Sequence, residues 1–392
     1  MKNNPIKVLH VIDGFGMGGA ETWLLNCVRY LHTNPQLHVQ FDFIATGGQP
    51  YVFDQIIKSY GSEIFYIKYS LTRFLQFRKE FQSVLKQNHY CAIHSHLDFV
   101  TGWQLLFGLG SLPPIRISHL HNPYNFVNNY SISFSRKLSY RIGRFLMSRL
   151  ATDITGTSNA VMDEYGYNQS PFVEKRIQPL YCGIPVDEFT FDLEKKNKLI
   201  ESLGWKNQPV ALFVGRIGTH DHVKAKNQKN PLFAFEIAKQ LIKSHPEWRF
   251  LFVGYKGPLG EKMETELKNN NLDDKIKLLG LRNDIHDIFS FADVLLFPSL
   301  WEGLGMVAVE AQAAGLIVLM SENVPKEAIV NNDLVRCLSL DKSIDEWVMQ
   351  LNSGLTRSIT QRKLAAQKVK SSMFSIENSV LNMLKAYQKN RE

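Results

Sequence analysis

The sequence predicts an α/β protein of two doubly wound, Rossmann-like lobes with an active site in the cleft between them. Three observations carry this. Short apolar runs that read as strands alternate with amphipathic helical stretches along both halves of the chain. Strand candidates of the second half end in glycine or Pro-Ser, as strands feeding a ligand-facing turn do. The pattern breaks at Tyr181–Phe189, where Gly183 and Pro185 interrupt it, and then starts again. With 392 residues, 44% hydrophobic and 21% charged, the chain can bury a core in each lobe.

In order, Lys7–Ile12 reads as the first strand, followed by a Gly-rich turn. A helix then runs through Trp23, Leu24, Cys27, Val28 and Leu31, which recur at helical spacing. Next come a strand at Val39–Ala45, a helix near Tyr51–Tyr60, a strand at Ile64–Ile67, a helix at Leu71–Gln87 and a strand at Cys91–His94. Ser131–Leu150 is apolar at Ile132, Phe134, Leu138, Ile142, Phe145 and Leu146, and basic at Arg136, Lys137, Arg141, Arg144 and Arg149. It reads as an amphipathic cationic helix, either an ordinary surface helix or a membrane-contacting one. The second half gives strands at Val210–Val214, Arg249–Val253, Lys275–Leu279, Val294–Phe297 and Ile317–Met320, with a helix at Pro231–Lys243. A last amphipathic helix covers about Ser375–Lys389.

Composition narrows the function. No run is apolar and long enough to span a membrane or to form a signal-peptide core, so a cytoplasmic protein is expected. Cys27, Cys91, Cys182 and Cys337 are scattered, which suits reduced thiols rather than a disulfide or zinc framework. The net charge of +8 suits an anionic ligand or an anionic membrane surface. No nucleic-acid-binding motif accompanies it.

Four groups of residues are candidates for chemistry. The stretch Gly14-Phe15-Gly16-Met17-Gly18-Gly19 follows a strand and precedes a helix, where backbone N–H groups can approach a phosphate. A dinucleotide site would also want an acidic residue ending the second strand, but Asp42 lies inside that strand, which disfavours NAD. The second group is PSLWEGLGMVAVEAQAAG at 298–315. A helix starting near Leu304 would aim its N–H groups at an anion, and Glu302 and Glu310, about 12 Å apart along such a helix, would reach opposite ends of one extended ligand. Each carboxylate can accept two hydroxyl hydrogen bonds. Third, Arg216 at a strand end and Lys229 before a helix could stabilise charge on a departing diphosphate. Lys224 and Lys226 in the loop between them are alternatives for Lys229. Fourth are the histidines: His94-x-His96, His119-x-His121, and His220-Asp221-His222. Histidines two apart on a strand share a face, but no C-x-x-C or D-x-D partner supports a metal. His121 reads best as a hydrogen-bond donor to a substrate, and His94 and His96 as structural.

Taken together, HVIDGFGMGGAE, RISHLHNPY, FVGRI, QKNPLFAFEIAK, LGLRNDI and FPSLWEGLGMVAVEAQAAG followed by SENVPKEA resemble the retaining glycosyltransferases of family 4, with the GT-B fold, especially bacterial exopolysaccharide and capsule enzymes. The resemblance covers almost the whole chain. It implies that residues 1–184 bind the acceptor, that 185–372 bind a nucleotide sugar, and that a helix in 373–392 packs back on the first lobe. It implies that Glu302 holds the donor sugar, Glu310 the ribose, and Arg216 and Lys229 the diphosphate. It further implies that Gly18 and Gly19 face the diphosphate, that His121 lies near the sugar, that the backbone at Leu281 and Arg282 meets the base, and that the N–H groups of Gly303, Leu304, Gly305 and Met306 cap phosphate and sugar. No cofactor and no metal are expected, and the donor is expected to be a UDP-sugar. The acceptor is expected to be a glycan or lipid-linked glycan, which would suit the cationic helix at Ser131–Leu150 and a peripheral position at the inner face of the plasma membrane. The linker departs from the family in reading Cys182-Gly183 where Asn-Gly is usual, and the segment between Arg216 and Lys229 is longer than usual. A sugar-nucleotide epimerase, an NAD(P)-dependent oxidoreductase and a non-catalytic glycan-binding protein are the rival readings.

Overall fold

The computed structural model describes residues 5–124, 133–167, 169, 173–206, 208–218, 228–353 and 358–388. Ser131, Ile132, His220, Asp221, His222, Lys224 and Lys226 lie outside the described residues. The chain divides into two compact units: Met1–Ile184 with Ile376–Glu392, and Pro185–Ser375.

The first unit carries six parallel strands: β1 (Ile6–Ile12), β2 (Val39–Ala45), β3 (Ile64–Tyr66), β4 (Ala92–Ser95), β5 (Ile115–Leu120) and β6 (Asp153–Gly156). Their order is β3-β2-β1-β4-β5-β6, the arrangement of a doubly wound nucleotide fold. β1 is buried on both faces, which is why it reads as a largely apolar run. The helix Gly19–Thr33 buries Trp23, Leu24, Cys27, Val28 and Leu31, the stripe its spacing predicts.

Two other helices, Val100–Gly108 and Phe134–Leu150, cross at glycines. A Cβ on Gly102 would lie 1.9 Å from the Gly143 carbonyl oxygen, so only glycine permits this approach. That crossing decides which face of Phe134–Leu150 is buried: Gly143 and Met147 point inward. The apolar residues noted in the sequence mostly point out, with Phe134 82%, Leu138 47%, Ile142 38% and Phe145 58% exposed. Arg144, expected among the membrane-facing cations, instead turns inward. It donates to the Tyr165 carbonyl at 2.6 Å and lies over the rings of Tyr124 and Tyr167.

The helix Ile376–Gln388 completes this unit. Its Val380, Met383, Leu384 and Tyr387 are buried. The Trp23 indole donates to Ser379 at 2.9 Å, and the Ser379 hydroxyl donates to the Tyr181 carbonyl at 2.7 Å.

The second unit repeats the architecture with β7 (Val210–Val214), β8 (Arg249–Val253), β9 (Ile276–Gly280), β10 (Val294–Phe297), β11 (Ile317–Ser321) and β12 (Val335–Leu338). Their order is β12-β11-β10-β7-β8-β9. Counted from β7, this is the strand order of the first unit read from the opposite edge. The core gathers Phe213, Phe235, Trp248, Phe250, Phe252 and Trp347. Gly254, at φ +141, lets the ends of β7 and β8 close up, since a Cβ there would fall 2.0 Å from the Gly215 carbonyl oxygen. Among the described residues no helix is long and apolar enough to cross a membrane. All four cysteines are free.

Candidate active site

In the second unit the site is built at the ends of β7 and β10. Gly215 follows β7 and has no side chain because the Lys229 chain passes there: a Cβ would sit 2.8 Å from Lys229 Cγ. Lys229 precedes Asn230, which takes φ +54 and opens the helix Pro231–Ser244 with proline in its first turn. This turn directs Lys229 Nζ to within 2.7 Å of Glu302 Oε1 and 4.7 Å of the Phe297 ring centre. Gln228 supports the pair. Its side-chain amide donates to the Trp301 carbonyl at 3.0 Å and to Glu302 Oε2 at 3.3 Å. Its own carbonyl accepts from Leu300 N–H at 2.8 Å. Glu302 is 7% exposed and Lys229 21%, so the ion pair is shielded but within reach of a ligand. Arg216 is exposed and has no ion-pair partner among the described residues.

The sequence places a helix start near Leu304; the structure starts it at Met306. Gly305 is the cause. It adopts φ +95, and a Cβ there would meet Val324 Cγ1 at 2.9 Å and Phe297 Cε1 at 3.1 Å. Glu302 therefore lies in the turn ahead of the helix, not on it, and only the span from Met306 to Glu310 rises helically, by about 6 Å. Gly303 and Leu304 form that turn, the Ala308 N–H donates to the Gly305 carbonyl at 2.9 Å, and no side chain caps the helix start. Burial pushes the Glu310 carboxyl up to about 7, with the Lys229 charge pulling it back. Near neutral pH it can therefore donate to or accept from a hydroxyl. Leu281 is 55% exposed. Arg282 donates Nε–H to Asp284 at 2.7 Å, which raises the guanidinium pKa and lowers that of the carboxyl.

In the first unit Gly18 caps the helix Gly19–Thr33 in an extended conformation. A Cβ on Gly16 or Gly19 would meet nothing within 4 Å, whereas one on Gly14 would strike the Tyr51 ring at 2.0 Å. Gly14 is a packing glycine, whereas Gly16 and Gly19 border open space. Asp42 is fully buried and accepts from Gln40, Tyr90 and the Glu63 N–H, so it is committed to the fold.

Beside this loop five imidazoles share one face of three adjacent strands. His10 pairs in register with His94 across β1 and β4. Nδ1 of His10 lies 2.9 Å from Nε2 of His96, and Nδ1 of His96 lies 2.9 Å from Nε2 of His121. A second set links the Tyr387 hydroxyl to His94 Nδ1 at 2.7 Å and His94 Nε2 to His119 Nδ1 at 3.2 Å. Trp23 packs on His96, His119 and His121, with ring centres 5.8, 5.5 and 6.1 Å away. Burial holds His10 and His121 down to about 3 and the other three well below the usual range, with the Leu180 backbone partly opposing this at His119. All five are neutral at physiological pH. Asp98, at φ +43, anchors the end of β5 by accepting from the His121 N–H at 2.9 Å and the Asn122 amide at 2.8 Å. Burial raises its carboxyl to about 6 against those hydrogen bonds.

Two triads, His10/His94/His96 and His96/His119/His121, bring ligand atoms within 4.8 Å of one another. Both nitrogens of His96 sit 2.9 Å from another imidazole, the distance of a shared proton.

The structure thus joins Lys229 to Glu302 in one unit and gathers His121 with four other histidines in the other. The sequence did not single out Gln228, Asp98, His10 or Tyr387. His10 interrupts the apolar stretch Val8–Ile12 of β1, and that was the available signal.

Two units of doubly wound topology with polar groups collected at the strand ends are the layout of the GT-B fold. The family model "Glycosyl transferases group 1" matches residues 195–370, and "Glycosyltransferase Family 4" matches residues 17–188. The chain belongs to glycosyltransferase family 4. It is similar to EpsF of Bacillus subtilis (strain 168), named as a glycosyltransferase, with 27% identity over 391 residues, covering 99% of this chain and 97% of that one. It is also similar to the UDP-Gal:alpha-D-GlcNAc-diphosphoundecaprenol alpha-1,3-galactosyltransferase of Escherichia coli, 29% identical over 279 residues, covering 68% and 67% of the two chains. In fold it matches Anabaena Alr3699/HepE in complex with UDP, at a TM-score of 0.77 and 16% identity, covering 98% of this chain and 100% of that one.

Proposed function

We propose that this glycosyltransferase moves a sugar from a UDP-sugar to a glycan or lipid-linked glycan during surface-polysaccharide assembly, with retention of anomeric configuration. The Lys229–Glu302 pair at 2.7 Å, set just ahead of the helix Met306–Ala313, carries the reading. A carboxylate that accepts sugar hydroxyls and a cation that meets phosphate are here pre-positioned on each other. In this reading Glu302 holds the donor sugar and Glu310 the ribose. Lys229 and Arg216 take the diphosphate, and Gly303 to Met306 offer N–H groups to phosphate and sugar. The backbone at Leu281 and Arg282 meets the base. Gly18 and Gly19 approach the diphosphate, and His121 hydrogen-bonds the substrate. In this reading cationic side chains and the helix N-terminus meet the diphosphate charge without a metal. The Escherichia coli relative, which uses UDP-Gal and a diphosphoundecaprenol-linked sugar, and the UDP complex of the Anabaena protein support this donor and acceptor class. The commitment of Asp42 to the fold weighs against an NAD(P)-dependent oxidoreductase, and nothing in the site favours an epimerase.

A thermal-shift panel of UDP, GDP, ADP, several UDP-sugars and NAD(P)H, run without metal, tests the donor. Ligand at about 100 times its dissociation constant stabilises by about 2.7 kcal/mol. Stabilisation by UDP and one UDP-sugar is expected; stabilisation by NAD(P)H alone refutes the reading.

The same reading includes contact with an anionic membrane through the helix Phe134–Leu150. Its outward stripe Phe134, Leu138, Ile142 and Phe145 is flanked by exposed Arg136, Lys137, Arg141 and Arg149. Salt-sensitive co-sedimentation with anionic liposomes is expected, and its absence refutes the contact.

A further inference from the structure

We infer that His10, His96 and His121 form a directional relay that fixes one tautomer of His121, so that this residue presents Nδ1–H, a hydrogen-bond donor, to the substrate. His96 and His10 are then positioning residues. The role toward substrate rests on the function proposed above, whereas the relay itself does not.

A neutral imidazole has one donor nitrogen and one acceptor nitrogen. Each 2.9 Å contact in the row therefore holds one proton, and the three rings must point the same way. Only two arrangements satisfy this: all three rings protonated at Nδ1, or all three at Nε2. Burial keeps a second proton off each ring.

The buried end separates the two. Nε2 of His10 has no hydrogen-bond partner among the described residues, and the ring packs on Phe41 at 4.3 Å and Phe43 at 5.5 Å. If the rings carry their protons on Nε2, a buried N–H is left in an aromatic pocket with no acceptor. If they carry them on Nδ1, that atom is a bare lone pair. Orphaned buried N–H groups are the rarer of the two in folded proteins. The relay therefore runs outward from His10 Nδ1–H to His96 Nε2, and from His96 Nδ1–H to His121 Nε2. At its outer end His121 keeps partial exposure, and its Nδ1 has no hydrogen bond among the described residues. Asp98 holds the His121 backbone, so the ring is fixed from both sides. The chemistry recognised is an acceptor oxygen, such as a sugar hydroxyl or phosphate oxygen.

The test is the nitrogen spectrum of the full chain labelled with 15N-histidine, using two-bond correlations that separate protonated from bare ring nitrogens. Single-histidine variants assign the signals. The wild type is expected to show His121 protonated at Nδ1 and bare at Nε2, with His96 and His10 the same. His96→Asn, which retains a donor near the former Nδ1, should leave His121 unchanged. His96→Asp, which places an acceptor there, should move the His121 proton to Nε2 and lower UDP-sugar turnover about tenfold, the worth of one hydrogen bond. A wild-type His121 protonated at Nε2, or at both nitrogens, overturns the relay. So does a His121 signal unmoved in a folded His96→Asp variant. If that variant does not fold, the wild-type and His96→Asn spectra decide. The spectra need no substrate, so failure of the UDP panel leaves this result standing, and an inverted tautomer leaves the donor reading standing.

Discussion

The two sheets share one strand order but place opposite chemistry at their strand ends. The second unit presents ionic groups, a shielded Lys229–Glu302 pair and exposed Arg216, with Glu310 midway along the helix Met306–Ala313. The first presents neutrality: five imidazoles that burial keeps uncharged. The difference shows that topology fixes where a site forms, at the strand ends, while the residues lining those ends decide what it can do. A charged end suits an ionic diphosphate. A neutral, hydrogen-bonding end suits hydroxyl groups.

The largest expected effect isolates the charged end. Glu302→Gln keeps the shape and one acceptor but removes the charge. We expect transfer to fall by about two to three orders of magnitude, with the melting temperature close to wild type. Near-normal turnover in a folded variant would remove Glu302 from its assigned role.

A middle-sized effect should separate the units by pH. The five histidines have folded pKa values below the unfolded value of 6.5. The unfolded chain therefore binds more protons below pH 6.5, and stability present above that pH is lost as pH falls toward 3. The loss is about 1.4 kcal/mol per pH unit for each histidine that must take up a proton on unfolding. Asp98 and Glu310 have raised values and work in the opposite sense, the folded state holding their protons as pH falls through 6 and 7. One carboxyl against five imidazoles leaves the first unit acid-sensitive, while the second gains slightly. Hydrogen exchange at pH 7.5 and 5.5, corrected for intrinsic rates, should show β4 and β5 losing protection before β7 and β10. The reverse order would contradict the comparison.

The smallest effect probes the neutral network alone. Tyr387→Phe removes the hydroxyl partner of His94 and leaves a buried nitrogen unsatisfied. The expected cost is about 1–3 kcal/mol in denaturant unfolding with the fold retained; no measurable loss would show that the hydroxyl contributes nothing.

Much of the fold was legible because buried parallel strands are apolar runs bounded by glycine. β2, β7, β8 and β10 fall at the residues read from sequence. β6 and β12 were not singled out: each is four residues long, and polar residues such as Asp153, Thr155 and Arg336 mask them. The helix start at Met306 was placed too early because the backbone turn at Gly305 depends on Phe297 and Val324, which are distant in sequence. Lys229 and Glu302 stood out separately, but a contact between positions 73 residues apart has no local signature. Arg144 was read as outward from charge pattern alone. Its inward turn depends on Tyr165, Tyr167 and the glycine crossing, none of which helical spacing encodes.

The helix Ile376–Gln388 closes the first unit through Trp23, Ser379, Tyr181 and Tyr387. During synthesis that helix leaves the ribosome only after every residue of the second unit. The second unit can thus mature as the chain emerges, while the earlier-made sheet waits for its final helix with the His94 partner missing. Domains generally fold as units in the order they are made; here the part translated first is the part finished last, and in that interval its open face is what chaperones would meet.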